Sequence, residues 1–351
     1  MFKKTKINAD NQITILQNYA TLVSRKNRKN YLFIIKDMLK CKKIYGCSFE
    51  EYYYNRFDLL NEKERETYIT NEKNQLLQNI FNEHSDHYFW THKTELYRQF
   101  KNDLQREFLF LNGENLKEFT KFSKKYPTFI AKTDQRKEKN QIRKVVVNNH
   151  MKPEKVYESL LEKDLNLLEN ELTQNQKLKE LYPKSLNTIE FITIKTKGKV
   201  HITSAVLKIG NGSIVNNLYY GGMVAKIDLK TGIVVTPGID YRDHHYETHP
   251  STKVKIIGFE VPNFNELKQY VLSLALKMKN TNYVSWDIAL TEKKPVFIDA
   301  SDSPIWYQFP EFMENKKGKL PQIELLLGHS LSKDTSAKKG SLSSSVGGTK
   351  N

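Results

Sequence analysis

The stretch VSWDIALTEKKPVFIDASDSP, residues 284–304, consists of two apolar, β-prone runs joined by the polar segment TEKK. This pattern predicts a β-hairpin with its turn near Glu292 and Lys293. Asp287 and Asp299 lie twelve residues apart in the two runs, so they should occupy nearby rungs on one face of the hairpin. Neighbouring carboxylates repel each other. We therefore expect a cation between them, and a divalent metal ion is the usual one.

The length and composition of the chain indicate a globular protein. Its 351 residues are 38% hydrophobic and 27% charged, which suits two domains or one large domain with a helical extension. Cys41 and Cys47 are the only cysteines, too few for a disulfide framework or a four-cysteine zinc site. No apolar run is long enough to cross a bilayer, and from the sequence we expect no signal peptide and a cytoplasmic protein.

Positive charge is concentrated near the N terminus. The formal net charge is +16, and residues 1–43 contain eleven Lys and Arg residues but only two Asp residues. One interpretation is a solvated helix face. Another is an electrostatic contact with anionic lipid or a polyanionic glycan, which would place the protein at the periphery of a membrane. A nucleic-acid-binding module is favoured less, because no recognition helix or base-stacking sheet accompanies the charge.

Hydrophobic periodicity divides the chain into three regions. Residues 1–125 are predicted to be mainly helical. Residues 126–328 mix strands and helices and are predicted to form an α+β domain, with a small lobe over about 126–184 and a large lobe over about 185–328. Residues 329–351 are mostly polar, with Leu331, Leu342 and Val346 as the large apolar residues, and are predicted to form a disordered tail.

Several local patterns predict individual elements. A helix should stop at Gly46, and Ser48 and Glu51 have the spacing of a capping box for the next helix. The run PTFIAKT, the polar segment DQRKEKNQI and the run RKVVVNNH predict a hairpin with a polar loop. The segment NFNELKQYVLSLALKMKN predicts one amphipathic helix.

This layout suits a nucleoside triphosphate clamped between two α+β lobes. The small lobe would supply cations for the phosphates and a loop to cover them. The large lobe would supply oxygen ligands for Mg²⁺, an ion that prefers carboxylates, keeps several waters and bridges phosphate oxygens.

Four strings resemble, in order, the successive motifs of the sugar-transfer associated ATP-grasp proteins. They are SLNTIEFITIKTKGKV, AVLKIGNGSIVNNLYYGGMVAKIDLKTG, HPSTKVKIIGFEVPNFNEL and the opening stretch. The similarity covers about residues 45–325 and is closest from residue 185 onward. It implies an ATP-grasp fold, ATP and Mg²⁺ as cofactors, and a group often placed in capsule or exopolysaccharide biosynthesis. ATP-grasp enzymes typically activate a carboxylate as an acylphosphate, which an amine or another nucleophile then attacks.

The resemblance also assigns roles to individual residues. Those implied in catalysis are Lys132, Asn187, Thr188 and His249. Those implied in binding ATP are Lys132 and the loop cations Arg136, Lys137 and Lys139 on the phosphates, Glu169 and Glu171 at the hinge that meets adenine and ribose, and Asn217, Gly221 and Gly222 over the cleft. Those implied in binding Mg²⁺ are Asp287, Asp299 and Ser301.

Some of these residues also have a structural explanation. An isolated lysine such as Lys132 is usually solvated at the surface. Glu169 and Glu171 also fit an edge strand with alternating acids, and a β-bulge also explains Gly221 and Gly222.

The chain departs from the family pattern at three points. Relatives cover the phosphates with a glycine-rich loop, but TDQRKEKNQIRK contains no glycine, so side-chain cations would replace backbone amides. Relatives end the last hairpin with Glu-Gly-Asn, and this chain has Asp299, Ala300 and Ser301. Glu190 stands where relatives often carry arginine, and an anion there should repel a phosphate or acyl group.

Two functional hypotheses follow from the resemblance and its departures. The first is an ATP-dependent ligase that joins a carboxylate to an amine or related nucleophile, with a glycan precursor or a peptide among its substrates. The second is a catalytically degenerate ATP-grasp protein that binds nucleotide or a partner without turnover.

Overall fold

The computed structural model describes residues 9–82, 85–136, 142–148, 150–213, 216, 218 and 221–331. The chain divides into two compact units, Leu77–Ile305 and a second unit formed from Phe2–Leu76 and Trp306–Asn351. No helix of the described residues is both long enough and apolar enough to span a membrane. The predicted tail at 329–351 lies outside the described residues after residue 331.

The described residues form helices and antiparallel strands in an α+β arrangement. The helices are α1 (Ala9–Asn27), α2 (Tyr31–Tyr45), α3 (Phe49–Tyr54), α4 (Glu62–Glu66), α5 (Asn71–Phe81), α6 (His87–Thr91), α7 (Lys93–Gln99), α8 (Lys101–Leu104), α9 (Leu116–Lys125), α10 (Pro153–Glu162), α11 (Gln176–Leu181), α12 (Phe264–Lys277) and α13 (Leu320–Leu327). The strands are β1 (Phe108–Phe110), β2 (Thr128–Lys132), β3 (Ile142–Val146), β4 (Leu167–Asn170), β5 (Thr188–Thr196), β6 (Lys199–Ile209), β7 (Met223–Lys226), β8 (Gly238–Asp240), β9 (His245–Tyr246), β10 (Tyr283–Leu290) and β11 (Pro295–Ser301).

The second unit contains α1–α4 and α13. The predicted stop of α2 is confirmed, because Gly46 adopts φ 63° and its N–H bonds the carbonyl of Cys41. The predicted capping box is also confirmed, with Ser48 and Glu51 each accepting the other's backbone N–H at the start of α3.

The small lobe of the unit Leu77–Ile305 is a four-stranded antiparallel sheet in the order β1-β4-β2-β3. The predicted hairpin β2–β3 is confirmed. Helices α9 and α10 cover one face, where Phe119, Phe129 and Tyr157 form part of the core. The sheet begins upstream of the predicted boundary at residue 126, because β1 pairs with β4 and α9 packs on the same layer.

The large lobe is a seven-stranded antiparallel sheet in the order β11-β10-β5-β6-β7-β8-β9. The predicted amphipathic helix is α12, which packs on β5, β6, β10 and β11. The opening hairpin is confirmed as β10–β11, closed by the hydrogen bond from Thr291 N to Lys294 O at 3.1 Å. The pairing shifts at Asp287/Ile288, which leaves Ile298 as an extra residue on β11. The compact unit ends at Ile305, whereas the predicted ATP-grasp domain extends to residue 328.

Candidate functional site

Three acidic residues form a row across neighbouring strands of the large sheet. Asp299 on β11 is the direct cross-strand partner of Asp287 on β10, and Asp287 is the direct partner of Glu190 on β5. Direct partners project from the same face of a sheet. The alternate residues Trp286 and Ala300 belong to the core on the opposite face. The row therefore faces away from that core.

Lys208 on β6 supplies a cation for two members of this row. Its Nζ lies 2.9 and 3.0 Å from the Asp287 carboxylate oxygens and 3.1 Å from Glu190 Oε2. Burial and the neighbouring Asp287 raise the pKa of Glu190, although Lys208 opposes the shift. Glu190, which stands where relatives often carry arginine, is thus paired with Lys208 within the sheet. We expected a cation beside Asp287 from the sequence. Lys208 is such a cation, although no sequence pattern singled it out.

Asp299 is held by a cation from the small lobe. The guanidinium of Arg136, in the loop after β2, contacts the Asp299 carboxylate and the Ala300 carbonyl. Burial alone would raise the pKa of Asp299, but Arg136, Lys93 and Lys132 outweigh it and lower the pKa. The other predicted loop cations, Lys137 and Lys139, lie outside the described residues.

Lys132 lies at the centre of a buried polar cluster in the small lobe. Its Nζ is 2.5 Å from Glu169 Oε1 and 3.0 Å from the Tyr97 hydroxyl. The second carboxylate oxygen of Glu169 is 3.0 Å from Arg106. Burial lowers the pKa of Lys132 against the opposing effect of Glu169. Burial would raise the pKa of Glu169, but Arg106 and Lys132 lower it overall. Glu169 therefore compensates two buried cations.

This cluster is hydrogen-bonded to the strand that carries Asp299. The carbonyl oxygen of Ile298, the bulged residue, accepts from Arg106 Nη2 at 2.9 Å and lies 3.1 Å from the Tyr97 hydroxyl. Arg106 also donates to the Tyr97 hydroxyl at 2.7 Å. Because Ile298 directly precedes Asp299, these hydrogen bonds bring the basic cluster next to the acidic row. Neither Arg106 nor Tyr97 is recognisable from spacing alone.

Lys93 is a further buried cation beside the same carboxylate. It is 5% exposed, and its Nζ donates to the Thr133 carbonyl at 3.0 Å. Burial lowers its pKa to about 8, while Asp299 favours the charged form. Asp134 holds the start of α7 through the backbone N–H of Thr94 at 2.6 Å. The only sequence signal for Lys93 is a lysine at the start of a helix.

Asn187 and His249 lie in the core and not on the acidic row. Asn187 is fully buried, and its amide bonds backbone groups that include Leu178 O and Gly210 N. His249 Nε2 donates to Gly210 O at 2.9 Å, and Nδ1 accepts from Thr252 N at 3.3 Å. Burial lowers the pKa of His249. Both side chains hold the loop ends beside the site, so the geometry favours a positioning role for them.

Thr188 lies on the same face as the acidic row, two residues before Glu190 on β5. Its hydroxyl accepts from Asn216 Nδ2 at 2.7 Å. Gly221 has φ 90°, and a Cβ there would lie 3.0 Å from the Asn211 carbonyl oxygen, so a side chain would be strained. Gly222 directly precedes β7. Asn217 lies outside the described residues.

Glu171 and Ser301 occupy the two margins of the candidate site. Glu171 forms a half-exposed ion pair with Lys144 at 2.6 Å, so it does not join the cluster of Glu169. Ser301 follows Asp299 on the same face of β11, and its hydroxyl accepts from Ser303 N at 3.1 Å.

The donor set is compatible with Mg²⁺ and nucleotide phosphates. In the described part of the chain, no three His, Cys, Asp or Glu side chains form a metal cluster. Mg²⁺ needs only one or two carboxylates with waters and phosphate oxygens, and Asp287, Asp299 and Ser301 offer oxygen donors on one face. On the basic side, Arg106 Nε is buried with no hydrogen-bond partner among the described residues. A buried donor without a partner marks a place where an ordered water or a ligand atom would complete the hydrogen bonds.

Comparison with solved structures finds remote similarities. N5-carboxyaminoimidazole synthase from Aspergillus clavatus is 12% identical, with a TM-score of 0.39 over 63% of this chain and 46% of that one. D-alanyl-alanine synthetase A from Vibrio cholerae is 11% identical, with a TM-score of 0.37 over 70% and 62%. The ATP-grasp ligase PsnB complexed with minimal precursor is 11% identical, with a TM-score of 0.41 over 78% and 73%. The chain thus spans less than two thirds of the first two proteins.

Sequence comparison identifies the family. No curated protein matches the chain. The model of the sugar-transfer associated ATP-grasp family matches residues 128–323, which is more than half of the 351 residues. The chain belongs to the sugar-transfer associated ATP-grasp family, and its α+β architecture is the ATP-grasp fold predicted from the sequence.

Proposed function

We propose that the chain is an ATP-dependent ligase that joins a carboxylate to an amine or a related nucleophile through an acylphosphate. The observation that carries the proposal is the hydrogen-bonded junction at Ile298 between a buried basic cluster and a row of carboxylates. We propose a cleft at this junction, with cations on one side and oxygen donors on the other, an arrangement that suits a triphosphate and its metal ion. Bound MgATP would supply the phosphoryl group that activates the substrate carboxylate.

The basic side of the cleft would bind the phosphates. Lys132, Lys93 and Arg136 are the cations for this role, and each is within the electrostatic influence of Asp299. Tyr97 and Glu169 hold the ammonium of Lys132 in one position, which reduces the ordering needed when a ligand binds. A bound polyanion would also raise the pKa of Lys132 against the lowering effect of burial, because a nearby negative charge favours the charged ammonium.

The acidic side of the cleft would hold the metal ion. Asp287 and Asp299 would contribute carboxylate oxygens, and Ser301 a hydroxyl. Lys208 holds Asp287 and Glu190 close together, and a metal ion on Asp287 would compete with this ammonium. Because aspartate is shorter than glutamate and serine is a weaker ligand than asparagine, we expect the site to retain more water than in relatives with Glu-Gly-Asn.

The substrate pair and location complete the proposal. An acyl group would be transferred to a glycan precursor or a peptide, in capsule or exopolysaccharide biosynthesis, in the cytoplasm near a membrane. The exposed face of α2 supports a peripheral membrane contact, because it interleaves Leu32, Phe33 and Leu39 with Lys36 and Lys43. Apolar side chains that enter the headgroup region and lysines that meet anionic lipid are the components of an interfacial helix.

A second candidate function is nucleotide or partner binding without turnover. It is favoured by the cations that already contact the carboxylates, Arg136 on Asp299 and Lys208 on Asp287. In this alternative the two cations would take over the charge compensation that a metal ion provides in an active ligase.

Thermal unfolding with and without MgATP tests the proposal. We expect MgATP to raise the melting temperature of the wild-type chain, since a ligand that binds only the folded state stabilises it. Asp287→Asn should lose the shift, and Glu180→Gln, which changes an exposed acid on α11, should keep it. ADP release with a panel of amino acids and sugar acids would then support the ligase. A shift without release would favour the second candidate, and no shift with any nucleotide would contradict both nucleotide-binding functions.

A further inference from the structure

Strand β3 is the outer edge of the small lobe. It is the last strand in the order β1-β4-β2-β3, and its only strand pairing among the described residues is with β2. Ile142 is 40% exposed and Val146 is 56% exposed, so the edge is not covered by another described element. An uncovered edge presents backbone N–H and C=O groups that another extended segment can pair with.

A cavity of about 620 Å³ lies between this edge strand and α10. Its wall includes Val156, Leu160 and Leu165, which provide apolar surface. Cationic side chains also line it, among them Arg143, Lys152, Lys155 and Lys163, and no acidic residue is part of the lining. The volume is in the range that accommodates several side chains of a ligand.

Three of the four named cations are available for a ligand, and Lys163 is the exception. Lys163 donates to Ser159 at 2.6 Å. Arg143, Lys152 and Lys155 have no ion-pair partner among the residues that the structure describes. Lys152 and Lys155 lie three residues apart at the start of α10, and like charges at that spacing repel each other. An acidic ligand would relieve this repulsion.

The groove lies on the opposite face of the small sheet from the candidate site. Arg143 is the cross-strand partner of Ala131, which is buried in the core beneath α9 and α10. Lys132 follows Ala131 on β2 and therefore faces the other way, toward Glu169. A ligand in the groove would not compete with nucleotide for the same cations.

The combination of features identifies the chemistry of the ligand. A polyanionic glycan would use the cations but has no backbone amides to pair with a strand edge. An extended peptide can pair with the edge, place its carboxylates on the cations and insert alternate apolar side chains into the cavity. We propose that β3, α10 and the cavity between them form a docking groove for an acidic peptide segment, which binds as an added strand.

Fluorescence anisotropy of the full chain without nucleotide tests this groove, and its result is independent of the proposed ligase activity. The probe is a fluorescein-labelled ten-residue peptide of alternating glutamate and valine. The groove variant is Lys152→Glu with Lys155→Glu. The matched control is Lys177→Glu with Lys179→Glu, which makes the same charge change on exposed positions of α11. A second probe carries an N-methyl group on every backbone amide, so it keeps its charges but cannot donate a hydrogen bond to the strand edge from either side. An oligogalacturonate represents the glycan.

We expect the peptide to bind to the wild type and the control, and at least tenfold more weakly to the groove variant. The N-methylated peptide should bind at least tenfold more weakly than the parent peptide, and added salt should weaken binding. Circular dichroism should show that both variants fold. The proposal is overturned by an absence of peptide binding, by equal binding of the N-methylated peptide or the oligogalacturonate, or by equal losses in both variants. Sedimentation that showed self-association abolished by the groove variant would identify a second copy as the occupant and would also overturn it.

Discussion

The guanidinium of Arg136 contacts the carboxylate of Asp299 and so joins the loop after β2 to the last hairpin of the large lobe. The resemblance assigned these two residues to different ligands, Arg136 to phosphate and Asp299 to Mg²⁺. Their direct contact means that each one satisfies the charge of the other in the structure. Binding a metal ion to Asp299 would then require the ion to compete with Arg136, and released Arg136 would be free to meet a phosphate.

The first prediction concerns this competition. Arg136→Ala should increase the affinity of the ligand-free chain for Mn²⁺, because the Asp299 carboxylate loses its internal cation. The same variant should bind ATP about tenfold more weakly, because one phosphate cation is lost. Isothermal titration with Mn²⁺ alone and with ATP alone measures the two effects. An Mn²⁺ affinity equal to that of the wild type would contradict the competition, and Arg98→Ala, an exposed arginine on α7, serves as the control.

The second prediction concerns the buried charges around Lys132. Glu169→Gln removes the carboxylate that compensates both Lys132 and Arg106, and it should destabilise the chain by about 3–5 kcal/mol. Urea unfolding measures the loss. Glu171→Gln makes the same change in a half-exposed pair with Lys144 and should alter stability by about 0–1 kcal/mol.

A double variant separates charge compensation from general damage to the cluster. Lys132→Met in the Glu169→Gln background removes one uncompensated cation and should recover part of the lost stability. If the double variant is as unstable as the sum of its single variants, the ion pair is not the source of the loss.

The hairpin and the helix on its sheet were predictable because their signals are local. Two apolar, β-prone runs and a polar turn specify β10–β11, and a period of 3.6 specifies α12. Asp287 and Asp299 do share one face, but even spacing alone does not produce this. The regular register set by Leu290 and Pro295 would pair Asp287 with Ile298, and the bulge at Ile298 brings Asp299 opposite Asp287. The order of four motifs then linked these elements to one family, which the family model confirms.

The partners of the site residues were not predictable from spacing. Lys208 compensates the row only because β6 pairs with β5, and Arg106 reaches Glu169 and Ile298 from a segment with no periodicity. Lys208 did leave one signal, a lysine within the apolar run AVLKIG. Strand β1, which pairs with β4 upstream of residue 126, left little sequence signal because it has only three residues and its pairing is a long-range contact.

The third prediction concerns the pH dependence of stability at Lys93. The folded pKa of about 8 lies below the ordinary value of 10.5, so the unfolded chain binds more protons between those pH values. The contribution of Lys93 to stability should therefore rise as pH increases from about 8 to about 10.5. Lys93→Met should stabilise the chain at pH 7, by about 3 kcal/mol at most, with a difference that disappears near pH 10.5.

The same variant tests whether Lys93 serves binding. Lys93→Met should bind ATP more weakly at pH 7 although it is more stable, because a buried cation beside Asp299 is lost. Thermal melts across the pH range and ATP titrations measure both quantities. Lys177→Met, an exposed substitution, should change neither. A Lys93→Met chain that is less stable than the wild type at pH 7 would show that Lys93 is structurally required.

The fourth prediction concerns the exposed face of α2. Vesicles that contain about 30% phosphatidylglycerol in phosphatidylcholine should co-sediment the chain, and pure phosphatidylcholine vesicles should not, since each lysine near an anionic surface contributes about 1 kcal/mol. Lys36→Glu with Lys43→Glu should abolish the binding at physiological salt. Lys117→Glu with Lys124→Glu reverses two exposed lysines with the same spacing on α9 and should leave it unchanged. If the α9 variant loses binding equally, net charge and not the α2 face is responsible. Leu32→Ser, which keeps the charge and removes an exposed apolar side chain, should weaken binding several-fold, because insertion of that side chain contributes apolar burial in the headgroup region.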